Sequence, residues 1–219
     1  MGFWKRTSSR AYNAEKVFCI GLNKTGTTSL GRALKDLGYT VGDQTAGELL
    51  QDEYAARNFT PILKFCTTAD AFHDAPFSFP FTYILLDHHF PNAKFILSVR
   101  DSAAQWYNSL ITFHGNLFAN GQVPTKEDLQ NAMYRRKGFV WETNRILLNT
   151  PEDDIYHRPT LLACYERHNS GVRDYFRYKK NFIEINLSEK GTYPKMCAFL
   201  GRRPVNDEFP WLNKTEWHA

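Results

Sequence analysis

The first sustained pattern along the chain is VFCIGLNKTGTTSLGRAL, residues 17–34: an apolar run that stops at Gly21, passes one lysine and a cluster of hydroxyls, and resumes with helical spacing. Short runs rich in β-branched or aromatic residues at 17–20, 61–65, 94–99 and 182–187 predict buried strands. Between them, apolar positions recur at helical intervals and predict helices over 27–37, 46–57, 82–89, 103–113, 126–148, 160–178 and 193–200. Strands alternating with helices predict an α/β fold with a mostly parallel central sheet flanked by helices.

Local signals support several boundaries. Thr125 followed by Asp128 approximates a capping box for the longest helix, and Gly38 and Gly201 suit helix stops. HDAPFSFPF, with its two prolines and three phenylalanines, reads as a loop with apolar anchors. No repeat, low-complexity tract or linker interrupts the 219 residues, so a single domain is expected over 1–219.

Composition changes this picture little. Hydrophobic content of 42% and charged content of 23% are ordinary for a globular chain. The excess of 27 Lys+Arg over 23 Asp+Glu, net +4, contains no block of like charge that would suggest nucleic-acid binding, while a small anionic ligand needs no more. The start, MGFWKRTSSR, lacks the apolar core of a signal peptide, and its likeness to a myristoylation signal fails where Arg6 replaces the required hydroxyl. No run reaches the roughly 18 apolar residues of a membrane span, so a soluble cytoplasmic protein is expected. Cys19, Cys66, Cys164 and Cys197 are scattered and read as reduced thiols, three of them inside apolar runs. Without a secretory signal, the glycosylation-type triplets beginning at Asn23, Asn58, Asn186 and Asn213 read as chance. Oligomeric state is not legible.

The opening stretch carries chemistry. A parallel strand that ends in a glycine-containing turn and enters a helix presents unpaired backbone N–H groups, which is an anion site. Gly26 admits close approach of a ligand, Asn23 lies in the turn, Thr25, Thr27, Thr28 and Ser29 offer hydroxyls, and Lys24 adds a charge. The plainer alternative is a turn with a helix cap. The ATP-binding P-loop places its lysine after the second glycine, whereas Lys24 precedes Gly26, so that pattern fails. GLNKTGTTSL instead resembles the 5′-phosphosulfate loop of the sulfotransferases that use 3′-phosphoadenosine-5′-phosphosulfate (PAPS).

A second element points the same way. In AKFILSVRDSAAQWYNSL a buried strand ends at Arg100-Asp101 and leads into a helix, resembling the 3′-phosphate element of that family. The family's serine commonly lies eight residues after the arginine; here that position is Asn108 and Ser109 is one beyond, so both are candidates. The resemblance, to the soluble bacterial branch, runs through DAFHDAPF, FPNAKFIL, YERHNSGVRDYF and GTYPKMCAFLGRRPVNDEFPWLN and spans about residues 16–213. It implies a P-loop-like nucleotide core and a basic loop over the 3′-phosphate at Lys190-Gly191. RRKG, residues 135–138, resembles the analogous loop of the cytosolic branch but comes too early and reads as a solvated helix face.

The resemblance implies sulfuryl transfer from PAPS to a hydroxyl or amine of a small-molecule or glycan acceptor, leaving adenosine 3′,5′-bisphosphate and requiring no metal. Lys24 would stabilise the leaving oxygen, and a base should follow an early central strand. In ILKFCTTADAFHDAP the candidates rank Asp74, His73, Asp70, with Lys64 as a second cation; Cys66 stands where relatives carry a histidine. Asp87 with His88 and His89 lacks metal-ligand spacing, and His168 reads as a packing residue. Trp106, Tyr107 or Phe77 could contact adenine or an apolar acceptor. Two rivals stay open: an atypical Mg²⁺-dependent nucleotide kinase and a non-catalytic nucleotide-binding module.

Overall fold

A computed structural model describes residues 14–210; Arg6 and the triplet at Asn213 lie outside the described residues. Four parallel strands, β1 (Val17–Cys19), β2 (Ala71–Phe72), β3 (Lys94–Val99) and β4 (Phe182–Asn186), form a sheet in the order β2-β1-β3-β4. Pairing of Val17 with Lys94 and of Phe95 with Phe182 brings the C-terminal ends of β1, β3 and β4 to one edge.

Alternation along the strands assigns side chains to two layers. Phe18, Ile20, Phe72, Phe95 and Leu97 enter one core with α5 (Thr82–His89) and α9 (Arg158–Phe176). Val17, Cys19, Ala71, Ile96 and Ile185 enter the other, covered by α1 (Thr27–Asp36) and α10 (Thr192–Leu200). The first is strongly aromatic, with the Phe18 ring centroid 5.6 Å from those of both Phe72 and Phe95. A third apolar cluster, including Trp106, Leu110, Phe139 and Tyr165, joins α6 (Ala103–Phe118) and α9 to the segments between them and rises above the sheet edge.

Three expectations are overturned. Residues 61–65 are not a strand: Thr60–Phe65 is helix α4, started by Pro61 in the first turn, where its missing N–H costs nothing. The strand is the pair Ala71–Phe72, fully buried beside β1. The helix expected over 126–148 is broken. It begins as α7 (Lys126–Asn131) with the anticipated Thr125–Asp128 capping box, leaves helical geometry at Ala132, and turns through a Met133–Lys137 bridge. It restarts after left-handed Gly138 as α8 (Phe139–Thr143), which runs into a π-helical turn over Asn144–Leu148. Residues 46–57 likewise divide, into α2 (Gln44–Glu48) and α3 (Gln51–Ala55). No helix among the described residues is long and apolar enough to cross a membrane.

Candidate active site

The turn between β1 and α1 is fixed by its backbone. Gly21 lies against β3 so closely that a Cβ there would fall 2.3 Å from the Ser98 carbonyl oxygen. Lys24 and Gly26 take left-handed φ values of 66° and 92°. Such geometry turns successive N–H groups toward one side, and α1 begins with no side-chain cap and no acidic residue in its first turn. The helix therefore offers uncompensated N–H groups and its positive dipole end.

Side chains from both neighbouring elements hold this turn. Arg100, leaving β3, donates from Nε to the Lys24 carbonyl at 2.6 Å, and Trp106 on α6 donates from Nε1 to the Asn23 carbonyl at 2.9 Å. The Arg100 N–H donates to the Tyr165 hydroxyl at 2.8 Å. Thr25 faces inward, its buried hydroxyl donating to the Leu22 carbonyl at 2.6 Å and meeting the Ser98 hydroxyl at 2.6 Å. Its side chain locks the loop to β3 instead of facing a ligand.

A cavity of about 680 Å³ opens over this edge, lined by Asn23, Lys24, Gly26, Thr27, Thr28 and Arg100, together with Asp74. Asp74 also has a left-handed φ of 64° and follows β2. Its carboxylate accepts from the Thr27 hydroxyl at 3.1 Å, from Gln44 Nε2 at 3.3 Å and from the Ala75 N–H at 3.2 Å. Burial pushes its pKa above the usual carboxylate range, against the lowering pull of the Thr27 and Ala75 hydrogen bonds and of Lys24 and Arg135. Lys24 is pulled the other way: burial and the Arg100 charge bring its pKa down to about 8, with Asp74 opposing.

The other expected residues part company. His73 points at α1, where a Cβ on Gly31 would sit 2.5 Å from its Nε2, and burial lowers its pKa to about 4; it is not among the cavity-lining residues. Asp70 lies at the opposite, N-terminal end of β2, accepting the Thr40 N–H at 3.1 Å. Two different causes keep them from the cleft: His73 is directed at α1, and Asp70 lies at the other end of β2. Lys64 is an exposed residue in the last turn of α4, and Cys66 is buried. Ser29 is buried in α1. Ser109 is buried on the face of α6 that carries Trp106, whereas Asn108 is exposed. Lys190 and Gly191 form the exposed turn between β4 and α10, and Ser188 just before them donates to Asp101 at 3.3 Å. That contact ties the β4 loop to the Arg100–Asp101 strand end.

Pattern alone missed part of the lining. RRKG is a turn, not a helix face: Arg135 enters the cavity and pairs with buried Glu48, which Gln44 also contacts at 2.9 Å. Burial raises the Glu48 pKa and the Arg135 contact lowers it. Phe81, Phe113, Phe118 and Leu147 add apolar walls. His168 lines the cavity too, but its Nε2 bonds the Ile20 carbonyl at 2.8 Å, a packing role. Phe77 lies in the core, whereas Trp106 lines the cavity. The four cysteines are free and buried. Asp87 is engaged by Lys179, Tyr175 and Asn181.

The sequence matches the family model described as a sulfotransferase domain over residues 16–218, and the chain belongs to that family. No curated protein matches it.

Proposed function

We propose that the chain transfers the sulfuryl group of PAPS to a hydroxyl, or an amine, of a small-molecule or glycan acceptor, in line and without a metal ion. The observation that carries this reading is the joining of two cationic strand ends over one cavity, through the bond from Arg100 to the Lys24 carbonyl. An uncapped helix start, one lysine and one arginine are a donor set suited to a ligand with two separated anionic groups.

The 5′-phosphosulfate fits the β1–α1 turn, held by N–H groups at the start of α1 and by the exposed Thr28 hydroxyl, which lines the cavity. Thr27, whose hydroxyl is given to Asp74, contributes its backbone. The 3′-phosphate falls to Arg100, which lines the cavity; Ser109, Asn108, Lys190 and Gly191, its other proposed partners, lie outside that lining. As the acceptor oxygen bonds to sulfur, the bond from sulfur to the 5′-phosphate oxygen breaks, and Lys24 stabilises the charge gathering on that oxygen. The acceptor proton passes to Asp74, a carboxylate whose raised pKa suits a base. Adenosine 3′,5′-bisphosphate is the second product.

The test is incubation with sulfur-labelled PAPS and a panel of phenols, aliphatic alcohols and sugars. Label should move to an acceptor with the wild-type chain and stay on the nucleotide with Lys24→Ala. Tight binding of adenosine 3′,5′-bisphosphate without transfer to any acceptor would make the chain a binding module, and preference for ATP with Mg²⁺ would make it a kinase.

A further inference from the structure

The Lys24 ammonium lies over the ring of Phe113, 3.4 Å from its centroid. The backbone on either side is held, with the Lys24 carbonyl bonded to Arg100 and the Asn23 carbonyl to Trp106. The aliphatic stem and ammonium of Lys24 are thus the adjustable part of the turn. Among the described residues no carboxylate lies within ion-pair distance of that ammonium. Three polar groups face it from the elements packed around it: Arg100 at the end of β3, Asp74 in the segment after β2, and His114 beside Phe113 on α6. Arg100 opposes the lysine charge and Asp74 supports it. His114, which shares a hydrogen bond with the Tyr156 hydroxyl at 2.8 Å, is held neutral because burial and Lys24 depress its pKa to about 4.

We infer that Phe113 is a positioning residue for the transfer: the negative face of its ring docks the Lys24 ammonium at the cavity wall and keeps it charged there. The inference rests on the proposed role of Lys24, but the contact itself does not. Desolvation and Arg100 both favour the neutral amine, and a ring face is a partner that offsets them without neutralising the charge, as a carboxylate would. The cation stays available to a developing anion. Phe113 is partly exposed at 36%, so its ring can be replaced with little loss of core.

The experiment uses the whole chain labelled at lysine Nζ, with the Lys24 resonance assigned by its loss in Lys24→Ala. Its titration is followed by NMR in wild type, Phe113→Leu, Phe113→Tyr and Phe113→Trp. The Lys24 pKa should fall by about half a unit to one unit in Phe113→Leu and hold or rise in the order Tyr, Trp. The alkaline limb of the transfer rate should move in parallel, to lower pH in Phe113→Leu. A packing role alone would reduce the rate at all pH values without moving the titration. An unmoved Lys24 pKa across the aromatic and aliphatic variants overturns the inference. If Phe113→Leu does not fold, a Lys24 pKa in Phe113→Trp below that of wild type does the same. A shifted pKa in a chain that transfers no sulfate upholds the contact and removes the proposed function instead.

Discussion

Arg100 reaches across from β3 to bond the Lys24 carbonyl oxygen at 2.6 Å, so the side chain that ends one strand shapes the turn that ends its neighbour. Parallel pairing of β1 with β3 makes this reach possible, because it sets both C-terminal ends on one edge. An arginine can do this with Nε while presenting its remaining N–H groups to a phosphate; a lysine has no such fork. Arg100→Lys is therefore expected to weaken adenosine 3′,5′-bisphosphate binding roughly 10- to 100-fold by calorimetry. Affinity within twofold of wild type would show that the arginine geometry is dispensable.

Gly26 is required by its backbone and by its neighbour. At a φ of 92°, an added Cβ would also lie 2.8 Å from Leu187 Cδ2. Gly26→Ala is expected to cost about 1–2 kcal/mol and to lower Tm by about 2–8 °C in thermal denaturation. An unchanged Tm would mean the turn relaxes freely.

Asp74→Asn removes the proposed base and keeps the shape. kcat is expected to fall about 100- to 10,000-fold while nucleotide affinity stays close to wild type. The sign of the pH dependence follows from two opposite shifts. Activity should rise as Asp74 deprotonates, above the ordinary carboxylate range, and fall near pH 8 as Lys24 loses its proton. A rate that climbs steadily past pH 9 would contradict a charged Lys24 in the step.

Two histidines outside the proposed chemistry are expected to contribute to acid sensitivity. The pKa of His73 and that of His114 are each lowered from 6.5 to about 4 by burial. A folded-state pKa below the unfolded value gives stability that is complete above pH 6.5 and lost as pH falls toward 4. By linkage this is about 3 kcal/mol for each group. Urea unfolding at pH 7 and pH 4.5 should show a smaller acid loss in His73→Asn and in His114→Gln than in wild type. An equal loss in all three would place the acid sensitivity elsewhere.

The sheet and the turn were legible in the sequence for different reasons. Phe95, Leu97 and Val99 alternate with Ile96 on a strand buried on both faces, so the apolar run is long enough to read. The β1–α1 turn carries its glycine, lysine and hydroxyls consecutively. By contrast, β2 is two residues long, and its pairing with β1 rather than any local pattern makes it a strand. The more apolar run before it, around Ile62, folds as a helix that packs into the aromatic core. Arg135 could not be placed because a break at Ala132 and left-handed Gly138 turn a helical pattern into a loop that reaches Glu48, 87 residues away in sequence. Asp74 and His73 are neighbours in sequence, yet one faces the cavity and the other α1; only the fold separates them.

The most direct test is calorimetric titration of the wild-type chain with adenosine 3′,5′-bisphosphate, adenosine 5′-phosphate and ATP with Mg²⁺, repeated with Arg100→Ala. Two phosphates gripped at two strand ends require the bisphosphate to bind tightest, and its advantage over the 5′-monophosphate to disappear in Arg100→Ala. Equal affinity for the bisphosphate and the monophosphate, or tighter binding of ATP with Mg²⁺, would contradict the account.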